Sequence, residues 1–162
     1  MKILFLILYM MISYLSFSQS DTINNLINKV LFDENVKIKI TYKKTTIPNS
    51  IKKELKNKYG VFRIANPNIK YQQNDVIRFP WQLPDNQMLF LINKGNYYAF
   101  IFIHGGRGKS INFIFCELDR NKKIRNIDYF YMLYKVKSID DFFYAIKNEK
   151  YKKNKMMYGN IE

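Results

Sequence analysis

An α+β fold, with helices packed on one face of a mainly antiparallel sheet, is what this chain of 162 residues predicts. Two observations carry that expectation. The second half holds four β-rich runs, Met88 to Asn93, Tyr97 to His104, Ser110 to Leu118 and Ile124 to Tyr134. Each is separated from the next by a short segment containing Gly, Asn or Asp, residues that tolerate the positive φ angles of tight hairpins. The runs therefore predict a C-terminal four-stranded meander. Around them, apolar residues recur at three- and four-residue spacing in three other stretches, the pattern of amphipathic helices that cover a sheet.

The chain opens with Lys2, an apolar run from Ile3 to Leu15, and then Ser16, Phe17 and Ser18 as a small-x-small ending. That order of cation, apolar run and small residues is the signature of a secretory signal peptide. Residues 1–18 are accordingly expected to be a leader, with Gln19 as the mature start. The run falls short of the roughly 20 residues a transmembrane helix needs. An uncleaved anchor is the alternative, and the absence of a Cys after the run argues against a lipoprotein. The expected location is outside the cytoplasm: periplasmic, cell-surface or extracellular.

After the leader, Asp21 can cap a helix in which Ile23, Leu26, Ile27, Val30 and Leu31 form one stripe ending near Phe32. Val36, Ile38, Ile40 and Tyr42 then alternate with Lys37, Lys39, Thr41 and Lys43, which predicts a strand with one dry and one cationic face. Pro48 suits the first turn of a second helix, where its missing N–H is no loss. Ile51, Leu55 and Tyr59 line one side of that helix, Lys52, Lys53, Lys56 and Lys58 the other, and Gly60 offers a stop. A short strand, Val61 to Ala65, follows. Pro67, Pro80 and Pro84 restrict themselves and their predecessors, so Asn66 to Asp85 is expected to be a long ordered connector with a brief strand near Val76 to Phe79. Beyond the meander, Ser138 and Asp141 have the spacing of a capping box, and Ile139, Phe142, Phe143 and Ile146 share one face of a last helix. Residues 19–147 are expected to form a single domain. Residues 148–162, lysine-rich and without apolar period, are expected to be a disordered basic tail.

Charge bounds the partners. The chain has 27 basic and 13 acidic residues, a net charge of +14 at pH 7; without Lys2 the balance is 26 against 13, or +13. Such a surplus attracts an acidic glycan, nucleic acid or an anionic membrane surface. Lysine supplies 22 of the cations and arginine only 5, which disfavours bidentate phosphate recognition. Lys, Asn, Ile, Tyr and Phe are abundant together, so part of the surplus also fits a general compositional bias. The candidate anion-binding residues are Lys37 and Lys39 on the strand, Lys52, Lys53 and Lys56 on the helix, and Arg107 and Lys109 in the hairpin that follows His104.

Catalytic chemistry is sparse. Gly108-Lys109-Ser110 resembles the end of a phosphate-binding loop, yet Ile103 stands where that motif needs its first glycine and a strand follows where it needs a helix. A glycine-rich hairpin that holds a surface anion is the alternative. His104 is the single histidine, so any imidazole chemistry must use it, with Ser110, Glu117 and Asp119 as the nearest partners in sequence; a rim histidine with a structural hydrogen bond is favoured. One His and one Cys do not make a zinc site, and no metal or cofactor is expected. Cys116, the single cysteine, has no intramolecular partner, so the core must stabilise the protein without a disulfide. Trp81, held between Pro80 and Pro84, either plugs the sheet edge or sits on a recognition loop that could anchor another protein or a sugar.

Taken together these features predict a small exported binding or interaction protein with a basic surface. An exported hydrolase using His104 and a structural envelope component are the alternatives.

Overall fold

Gly95 and Asn96 make the turn from which the register of the sheet follows. Lys94 pairs with Tyr97 across it, and Gly95 takes φ +62°, a conformation open to glycine because it lacks Cβ. The structure, a computed structural model, describes residues 23–59, 62–73, 83–105 and 108–154. The expected leader, the Asp21 cap, Gly60, Val61, the strand expected near Val76 to Phe79, Trp81 and Arg107 lie outside the described residues, as do 155–162.

Seven strands are described: β1 (Lys39–Thr41), β2 (Ile64–Ala65), β3 (Asn86–Lys94), β4 (Tyr97–His104), β5 (Ser110–Leu118), β6 (Ile124–Met132) and β7 (Tyr151–Lys153). The helices are α1 (residues 23–32), α2 (Asn49–Tyr59) and α3 (Ile139–Lys147). The strand order is β1-β3-β4-β5-β6-β7, with β2 also on β3. All pairs are antiparallel except β2 with β3. The α+β class, the mainly antiparallel sheet and the meander are as the sequence predicts. Two compact units divide at Glu34 and Asn35. In the first, α1 buries Ile27 and Leu31 at i, i+4 spacing.

In the second unit, pairing puts Met88, Phe102 and Asn112 in one row, and Leu91, Phe100, Ile114 and Tyr129 in another, on one face of the sheet. Ile47, Ile51 and Leu55, four residues apart, pack α2 onto that face. The opposite face carries Ile101, Phe113 and Phe130. There Phe142 of α3 meets Phe90 at 5.8 Å and Phe113 at 5.5 Å between ring centroids. Thus α2 and α3 sit on opposite faces instead of sharing one. The reason is chain path: α2 precedes β3 and α3 lies between β6 and β7, so nothing forces them to the same side.

Three other expectations change. The alternation from Val36 to Lys43 yields only the three residues of β1. Its apolar members are not dry, since Val36, Ile40 and Tyr42 are exposed. Lys58 does not join the outer lysines of α2: at about 100° per residue it falls on the azimuth of Ile51, and its ammonium lies 3.2 Å from the centroid of the Tyr129 ring. Finally, 151–153, expected within a disordered tail, form β7. Tyr151 is 7 % exposed and packs against Phe113 and Phe130 at 5.4 and 5.5 Å, and Lys153 pairs with Asp128.

Candidate functional site

At the end of the sheet away from the Gly95 turn, Asn86, His104 and Ser110 share one row of β3, β4 and β5. His104 is exposed, whereas Asn86 is 4 % exposed. The Nδ2 group of Asn86 donates to the Arg63 carbonyl at 3.1 Å. That fixes its amide orientation and turns Oδ1 toward His104 Nδ1, 2.9 Å away. An amide oxygen can only accept, so the imidazole proton lies on Nδ1 and Nε2 is the basic nitrogen. This arrangement orients a base.

A nucleophile is not engaged with it. Asn112 Nδ2 donates to Ser110 Oγ at 2.9 Å, and among the described residues Ser110 and the His104 ring share no hydrogen bond. Glu117 and Asp119 are excluded as partners. The β4–β5 register sets Tyr97 opposite Glu117 and His104 opposite Ser110. Seven residues of strand separate these rows by roughly 23 Å. Glu117 instead accepts from Arg125 at 3.1 Å and from Asn126 at 3.3 Å, and Asp119 accepts from the Lys123 N–H at 2.8 Å in the β5–β6 turn.

The candidate cations are spread over three elements. Lys52, Lys53 and Lys56 are exposed within an arc of about 100° on the outer side of α2. Lys37 and Lys39 are exposed before and at the edge strand β1, and Lys109 is exposed at the β5 side of the hairpin. Burial holds the Lys58 ammonium below the usual lysine range, with Glu54 acting in the opposite direction. Among the described residues no three His, Cys, Asp or Glu side chains gather as a metal site, and no helix is long and apolar enough to cross a membrane.

Asn86 is the site residue that sequence reasoning missed. It is separated from His104 by a whole hairpin, and nothing in its local pattern marks it. Compared with known family models, curated proteins and solved structures, the chain matches none.

Proposed function

We propose that the protein is a small exported binding protein that engages an anionic partner through the lysine face of α2. The observation that carries this is the display of Lys52, Lys53 and Lys56 on a helix whose inner side is locked by Ile51 and Leu55, both 0 % exposed. A fixed helix presents its cations without a large ordering cost on binding, and the net charge, +13 without Lys2 (26 basic against 13 acidic residues), draws anions to it. Export rests on the sequence from Lys2 to Ser18.

Direct titration with heparin, single-stranded DNA and anionic vesicles at rising salt tests this. Affinity for the true class of partner should fall steeply with salt, as counterion displacement requires. Reversal of Lys52, Lys53 and Lys56 to Glu should weaken it far more than reversal of Lys122, Lys123 and Lys152, which are exposed elsewhere. Equal losses from the two triples would reduce the surplus to diffuse background. Mass determination of the secreted product, with a start at or beside Gln19, tests export.

The bond from buried Asn86 to His104 favours a second function, an exported hydrolase in which Nε2 is the base. A His104→Gln protein that keeps its melting temperature and loses all activity would place this ahead of binding.

A further inference from the structure

The face that carries α3 has an open cleft of about 630 Å³ near the His104 end of the sheet, within the usual size range of small-molecule sites. Its floor is aliphatic: Leu89, Ile103, Ile111 and Met132 come from four successive strands, and Val136 closes the side formed by the segment after β6. Leu89 reaches it because a bulge interrupts the β3–β4 ladder between Met88 and Phe90, leaving Leu89 out of the alternation. The chain contains 13 Phe and 13 Tyr, yet Tyr134 is the one aromatic among the described residues of the lining. Such a wall fits a flexible alkyl chain better than a flat ring.

The rim has one sign of charge. Lys109, Lys135 and Lys137 line the opening with Ser110, and no Asp or Glu joins them among the described residues. All three lysines are exposed, and none is in an ion pair among the described residues. Asp141, near in sequence, accepts from the backbone N–H groups of Lys137 and Ser138 at 2.9 and 3.0 Å, and its charge also acts on Lys137. Leu133 and Tyr134, 53 % and 39 % exposed, extend the apolar surface outward from the cleft.

We infer that this cleft binds an alkyl carboxylate, with the chain on the aliphatic floor and the carboxylate among Lys109, Lys135 and Lys137. Charge complementarity selects the anion over a neutral lipid, and among the described residues of the lining no carboxylate competes for Lys109 and Lys135. The inference does not depend on the α2 face, which lies on the other side of the sheet.

Calorimetry of the whole chain with decanoate, below its micelle concentration, and with decan-1-ol tests it. Decanoate should bind with one-to-one stoichiometry and decanol about tenfold more weakly or less. Replacing Lys109 and Lys135 together by Gln, exposed changes that leave the core intact, should cost roughly tenfold in decanoate affinity while leaving decanol unaffected. Methyl resonances of Ile103, Ile111 and Met132 should shift on titration, and those of Ile51 and Ile114 should not. Reversal of Lys52, Lys53 and Lys56 should leave decanoate binding as it was, which separates this site from the α2 surface. No binding of decanoate, equal binding of acid and alcohol, indifference to the double Gln variant, or shifts centred on Ile51 would each overturn the inference.

Discussion

Asn86 Oδ1 accepts from His104 Nδ1 at 2.9 Å, and the two partners differ sharply in what their removal leaves behind. Asn86 is buried and also donates to the Arg63 carbonyl. Replacing it by Leu strips the Arg63 oxygen of its side-chain donor and His104 of its acceptor. His104 is exposed, so His104→Gln loses one bond that water can partly replace. Urea denaturation should show a loss of about 1–3 kcal/mol for Asn86→Leu and at most about 1 kcal/mol for His104→Gln. The reverse order would mean that His104 is held by something other than Asn86.

Gly105 and Gly108 belong to the same glycine-rich hairpin and should respond unequally to alanine. A Cβ on Gly105 would fall inside the carbonyl oxygen of Gln72 and 3.0 Å from that of Asp85. Both are backbone atoms, and the Gly105 N–H already donates to the Asp85 oxygen at 2.9 Å. Gly105→Ala must therefore push the connector off the sheet, at a cost of about 1–3 kcal/mol. Nothing lies within 4 Å of a Cβ on Gly108, and Gly108→Ala should stay within about 0.5 kcal/mol of wild type. Thermal unfolding of both variants decides it.

The contrast between those glycines shows where sequence stops being legible. β4, β5 and the Ser138–Asp141 capping box match their expected positions, because turn residues and caps are local signals. The partner of His104 is not local. Counting back from the Lys94–Tyr97 pair would set Asn86 opposite Gly105, but the bulge at Leu89 moves it by one residue to His104. Periodicity cannot show a bulge before the pairing is known. The same bulge and the Gly95 turn bracket the stretch of β3 that β1 can pair with, Leu91 to Asn93, so an eight-residue alternation becomes three residues of strand. The cleft was equally hidden, since Leu89, Ile103, Ile111 and Met132 converge only once the meander is in register.

Glu149 explains why β7 escaped the sequence and offers a stabilising change. After α3 the Lys150 N–H donates to the Ala145 carbonyl at 2.8 Å and the Glu149 N–H to that of Ile146 at 3.1 Å. These are the two bonds of a Schellman motif, which needs a left-handed residue at its centre. Glu149 supplies it at φ +52°, without the glycine that would have flagged the turn. A side chain in this region costs about 1 kcal/mol or more, partly offset by the greater freedom of glycine in the unfolded chain. Glu149→Gly should raise stability by about 0.5–1 kcal/mol. A lower melting temperature would show that the turn is not held in this form.

Stability should fall at alkaline pH, with Cys116 as one cause. This residue is 1 % exposed in the core under α2, and burial pushes its thiol up from 9.0 to about 12. Burial, with a smaller contribution from Glu149, likewise pushes Tyr151 up from 10.0 to about 12. Between the unfolded and folded values the unfolded chain releases a proton that the folded one keeps. Folding is then opposed increasingly as pH rises, and the stability present below pH 9 is lost progressively toward about 12. One thiol proton sets a limiting slope of about 1.4 kcal/mol per pH unit. Cys116→Ala isolates it from Tyr151 and the lysines. At pH 8 the variant should be the less stable protein, because it leaves a cavity. By pH 10 the gap between the two should have narrowed measurably in urea melts. A gap that stays constant from pH 8 to 10 would mean that the thiol ionises as readily in the folded core as in the open chain.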